Sequence, residues 1–166
     1  FGPLKDLAAS HAANDWIFNI DSAEATSPEL VESILNHQLA QDAVGSVHRH
    51  NHYRGRLING CGWQRDFIRR LYNRQATSFG ETAVHEALQP TPGGVSLLNG
   101  PLFHYPYESA ADLIEKMQHY STLYAKEKCG KESSSAAKAV LRGSVRFVRD
   151  FILKRGFMYG RDGWTI

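Results

Sequence analysis

Asn14-Asp15-Trp16-Ile17-Phe18-Asn19-Ile20-Asp21-Ser22-Ala23-Glu24 is the stretch whose reading decides the fold. Trp16, Ile17, Phe18 and Ile20 form a short apolar run, suited to a strand buried on both faces. The run ends at a carboxylate, and Ser22 to Pro28 is a small polar loop. An acid at the carboxyl end of a buried parallel strand lies where open α/β sheets bind their ligands. There a carboxylate can hold a divalent cation through oxygen, or it can simply end a strand and begin a turn.

The flanks complete an α/β unit. Leu4, Leu7, Ala8 and Ala12 recur at helical spacing and predict a short helix over 3–13. Ser27-Pro28-Glu29 is a helix start, with a capping hydroxyl followed by Pro. Leu30, Val31, Ile34, Leu35 and Leu39 then share one face and predict a helix over 28–41. Residues 44–58 and 67–74 read as extended, and 95–105 as a strand interrupted near Gly100-Pro101. Ser109 and Asp112 have the spacing of a capping box, ahead of a helix reaching about Lys128. A second helix begins near Ala136 and closes at Gly156.

The 166 residues suit one domain or a large piece of one, and 42% hydrophobic with 22% charged residues describes a globular chain. Cys61 and Cys129 stand outside any metal or redox spacing, which favours reduced thiols and a cytoplasmic setting. The net charge of +2 is unevenly spread. Between Arg49 and Arg74 seven Arg face the single acid Asp66, and between Lys138 and Arg155 six Lys or Arg face Asp150 alone. Two basic regions point to anionic partners. In the first, Arg69, Arg70 and Arg74 are expected to be available to anions. In the second, Lys138, Arg142, Arg146 and Arg149 form a ridge that suits either an anionic membrane surface or a solvated helix face. His48, His50 and His52 alternate as zinc ligands could, or as a polar strand face would; no native zinc is expected there. Nucleic-acid binding is the weakest class, because Asp21, Glu24 and Glu86 would have no part in it.

Taken in order, these stretches resemble a family 2 glycosyltransferase of the GT-A fold, and within it the bacterial lipopolysaccharide inner-core glucosyltransferases. The matching pieces are Phe1-Gly2-Pro3, Asp15-Trp16-Ile17, Ile20 to Glu24, Ser27 to Leu30, Asn51 to Arg56, Gly62-Trp63, Arg70 to Arg74, Val84-His85-Glu86, His104-Tyr105 and Gly156-Phe157. The resemblance implies a partial GT-A, Rossmann-like mixed sheet flanked by helices over residues 1–107. A helical, membrane-associating extension would follow over 108–166. It implies that Asp21 and Glu24 meet the nucleotide, that Asp21 and His104 hold Mg²⁺ or Mn²⁺, and that Glu86 is the general base. Trp63 and Asp66 would shape the sugar and acceptor side, and Arg54, Arg56 and Arg70 would meet an anionic saccharide. The implied reaction moves glucose from UDP-glucose to a lipopolysaccharide core or similar acceptor, at the inner-membrane surface. The alternative is a non-catalytic module binding anionic membrane or saccharide.

The chain departs from that pattern at position 23, where the family has Asp and this chain has Ala23, so the metal site is expected to be weakened. Glu24 would point away from Asp21 if the strand continued through it. The family's opening strands, on the order of 60 to 90 residues, would precede Phe1, and transfer by this chain alone is not expected.

Overall fold

The computed structural model describes residues 2–79, 87–131, 133 and 135–166. The chain divides into two compact units, one of residues 1–50 and 65–104, the other of 51–64 and 105–166. The architecture is α/β, as expected, with a six-stranded sheet and helices.

In the first unit, helix α1 (Gly2–Ser10) leads to strand β1 (Trp16–Phe18), a short strand β2 (Glu24–Thr26) and helix α2 (Pro28–Leu35). Three long strands follow, β3 (Val44–Tyr53), β5 (Asp66–Asn73) and β6 (Val95–Tyr107); the last residues of β3 and β6 are counted in the second unit, as is β4 (Arg56–Leu57), which returns against the end of β3. The sheet order is β1-β5-β3-β6-β2. β1 pairs antiparallel with β5, β5 with β3, and β2 with β6. The expected buried parallel strand is therefore an antiparallel one at the end of the sheet. Both its faces are packed, but neither is sealed. Trp16 and Phe18 join a core of Leu30, Val47, Leu71, Leu98 and Leu102, while Ile17 points the other way, toward Val44, Tyr72, Phe79 and Leu88. That alternation is the two-residue period of a strand.

Helix α2 begins where its sequence says it should. Ser27 accepts a hydrogen bond from the Leu30 amide at 3.1 Å, and Pro28 fills the first turn, where no amide donor is needed. It stops at Asn36, earlier than the periodicity suggests. β6 runs through Gly100-Pro101 without interruption. Gly100 has φ +89°, and a side chain there would meet the Leu30 amide at 2.4 Å, so glycine lets the start of α2 lie directly on the strand.

In the second unit, Tyr53, Ile58 and Cys61 form a small core joined by Trp63, Tyr107, Leu113, Tyr159 and Ile166. β3 and β4 are linked by Arg54 and Gly55, both with positive φ, the backbone of a two-residue hairpin turn. Helix α3 (Ala110–Lys128) carries the expected capping box, both of its hydrogen bonds being formed between Ser109 and Asp112. Helix α4 (Ala136–Val148) passes into a wider π turn over Arg149–Leu153. The helical run therefore ends before Gly156, at Lys154, and Gly156 opens a short 3-10 turn ahead of helix α5 (Arg161–Thr165).

Candidate functional site

Beyond Phe18 the chain stays beside β5, the Asn19 amide donating to the Arg70 carbonyl at 2.9 Å. It then turns back on itself: the Glu24 amide donates to the Asp21 carbonyl at 3.0 Å, and the Glu24 carboxylate accepts from the Asp21 amide at 2.9 Å. Because the backbone turns, Glu24 does not point away from Asp21 as a continued strand would make it. Both acids converge on one group, the Arg70 guanidinium. One Arg70 Nη2 lies 2.6 Å from Asp21 Oδ2 and 2.5 Å from Glu24 Oε1, and Nη1 donates to Asn19 Oδ1 at 3.0 Å.

The cluster extends along the sheet. Arg49 on β3 stands opposite Asp66 on β5, with an Nη2–Oδ2 distance of 2.8 Å, and its Nη1 reaches Glu24 Oε1 at 3.4 Å. Lys5 of α1 approaches Asp21 at 3.6 Å. Three cations thus meet three carboxylates. The Glu24 side chain is fully buried and that of Arg70 is 7% exposed, so these charges are tolerable only because they are paired. Burial pushes the Asp21 carboxyl upward, but its hydrogen bond from Arg70 and the charges of Arg70, Lys5 and Arg49 outweigh this and hold it below the usual range. Arg70 Nε is buried without a hydrogen-bond partner among the described residues.

Of the expected site residues, the structure brings together Asp21, Glu24, Asp66 and Arg70, and it sets His104 directly across from Glu24 in the β2–β6 register. Arg70 faces inward onto acids rather than being available to an outside anion. Arg74 does likewise: it donates to the Ala9 and Ala12 carbonyls at 2.9 Å, at the end of α1, and pairs with Asp15 at 3.0 Å. Arg54, Arg56 and Trp63 belong to the second unit. There Arg54 reaches Asp162 at 3.2 Å, Arg56 lies over the Tyr159 ring, and Trp63 packs near Tyr107. Glu86 lies outside the described residues. Asn19, Arg49 and Lys5 were not legible as members of the cluster; the only hint was the crowding of Arg around one acid between 49 and 74.

A divalent cation on Asp21 and His104 does not fit the described residues as they stand. The Arg70 guanidinium occupies the space between the two carboxylates, position 23 offers no oxygen ligand, and no group of three His, Cys, Asp or Glu among the described residues is arranged to hold a metal. The three alternating histidines form no such group either: His48 and His50 sit edge to face, their Nδ1 and Nε2 3.2 Å apart, with His48 stacked on Phe67.

No family model and no solved structure matches the chain. It is similar to a protein of Rickettsia prowazekii named as an uncharacterized glycosyltransferase, 30% identical over 175 residues that cover 97% of this chain and 60% of the relative. A Rickettsia typhi protein of the same description matches equally, and one from Rickettsia felis is 29% identical over 182 residues, covering 97% of this chain and 62% of its own length. The chain spans about 60% of the length of these curated relatives. Along nearly all of its own length, then, this chain is similar to proteins named as glycosyltransferases.

Proposed function

We propose that the chain is the acceptor-side part of a family 2, GT-A type glycosyltransferase that moves glucose from UDP-glucose to an anionic saccharide such as a lipopolysaccharide core. Similarity to glycosyltransferase-named proteins over 97% of the chain supports the transferase class. The observation that carries the reading to particular residues is the gathering of Asp21 and Glu24 on Arg70 at the end of β1. Arg70 and Arg49 act there as positioning residues, fixing the backbone turn and the direction of the Asp21 carboxylate. Arg54, 60% exposed in its side chain at the hairpin tip, and Arg56 would meet acidic groups of the acceptor.

In this reading Glu86 takes the proton from an acceptor hydroxyl. The hydroxyl oxygen then bonds to the anomeric carbon as the bond from that carbon to the diphosphate breaks, and UDP leaves. Residues 1–107 would carry the donor and acceptor contacts, and 108–166 the extension. The test is transfer from radiolabelled UDP-glucose to deacylated core oligosaccharide, using protein expressed from the whole gene. Glu86→Gln should lower turnover by about 10²–10⁴-fold while leaving UDP binding intact. Unchanged turnover in Glu86→Gln would remove Glu86 from the reaction. Absence of UDP binding in the parent protein would favour the non-catalytic saccharide-binding alternative.

A further inference from the structure

Helix α4 is exposed on every side. No residue of it is buried, and its apolar side chains are as open as its basic ones: Val140 is 70% exposed, Leu141 66% and Val145 60%, with Phe147 and Val148 close to half, beside 77% for the Arg146 side chain. At 3.6 residues per turn, Phe147, Val140, Val148, Leu141 and Val145 fall within about half the circumference, with Ser144 and Ala137 among them. Lys138, Arg142 and Arg146 come next, then Ala139 and Gly143, so all the charge of the helix lies on the remaining side, and Arg149 follows in the π turn. No acid lies within α4; the nearest, Asp150, pairs with Arg149 at 2.8 Å and Arg146 at 3.4 Å, leaving the patch strongly positive. Among the described residues no helix is long and apolar enough to cross a membrane.

We infer that α4 lies flat in the interface of an anionic lipid bilayer, its apolar half among the acyl chains and its basic half among the headgroups. The charge pattern selects this occupant. A helix with one exposed apolar half and one basic half needs an apolar phase bordered by negative charge, and an anionic bilayer supplies both in that geometry. The long Lys and Arg stems extend the fit, since they lie along apolar surface while their heads stay with the phosphates. The π turn continues the apolar surface, with Ile152 and Leu153 exposed after α4 ends. This inference does not depend on sugar transfer and would hold for a non-catalytic protein.

The test is co-sedimentation of the 166-residue chain with two kinds of vesicle: equimolar phosphatidylcholine and phosphatidylglycerol, and phosphatidylcholine alone. The chain should partition onto the anionic vesicles much more strongly, and rising salt should weaken that binding as it screens the charges. Arg142→Gln with Arg146→Gln should weaken it by about thirtyfold, at roughly fivefold per basic group. Leu141→Ser with Val145→Ser should weaken binding to both vesicle types. All four side chains are exposed, so circular dichroism of both double variants should match the parent. Failure of the parent to bind anionic vesicles, or binding unmoved by the Arg double variant, would overturn the inference. So would a sedimentation-equilibrium mass showing a dimer that Leu141→Ser with Val145→Ser dissociates while vesicle binding stays unchanged, since a second copy would then cover the face.

Discussion

Replacing Arg70 by Met would strand a buried charge, and the structure sets the size of the effect. The Met side chain fills much of the apolar volume but removes both Nη contacts to acids and the one to Asn19. Asp21, 43% exposed in its side chain, can turn to water, so little is lost there. Glu24 cannot, because its side chain has no exposure; among the described residues it keeps Arg49 at 3.4 Å and the Asp21 amide at 2.9 Å. Breaking a buried pair from one side costs about 3–5 kcal/mol, and the remaining Arg49 contact places the expected loss near the low end, about 3 kcal/mol. At a urea slope of about 2 kcal/mol/M, that moves the unfolding midpoint down by about 1.5 M. Replacing Trp63 and Trp164 by Phe leaves Trp16, on β1 opposite Asn73, as the sole indole, reporting on the first unit. Glu24→Gln added to Arg70→Met removes the stranded charge and should recover part of the midpoint, although alone it should destabilise. The reasoning fails if Arg70→Met costs under about 1 kcal/mol, or if Glu24→Gln is as harmful without Arg70 as with it.

Two further outcomes test the frame around the sites. Gly100→Ala should destabilise by about 1–3 kcal/mol, because the new Cβ meets the Leu30 amide and the backbone is left-handed there; an unchanged thermal midpoint would contradict the close approach of α2 to β6. The Asp112 carboxyl is held below the usual range by its hydrogen bonding with Ser109 and the Glu108 amide. Its contribution is therefore present above about pH 4, near the unfolded value, and lost as pH falls through the folded one. Ser109→Ala should flatten that part of the acid decline in helicity, and an identical acid limb would show that the capping box does not carry it.

The sequence by itself determined whatever depends on neighbours in the chain. The Ser27-Pro28 start of α2 and the Ser109–Asp112 box are contacts across three residues, and the stretches that read as extended, 44–58 and 67–74, hold β3 and nearly all of β5, though not their ends. The amphipathic halves of α4 are likewise a property of spacing. Tertiary structure alone decided where charge points. Arg70 meets acids 46 and 49 positions away, and Arg74 meets carbonyls 62 and 65 positions away, so side chains that read as a surface facing anions turn inward to satisfy buried or terminal groups. Glu24 joins Asp21 because the backbone reverses after β1, which the two-residue period of a strand does not foresee. Whether the apolar half of α4 would be covered or left open was also undecided, since amphipathicity says which side is apolar and only packing says what, if anything, lies against it.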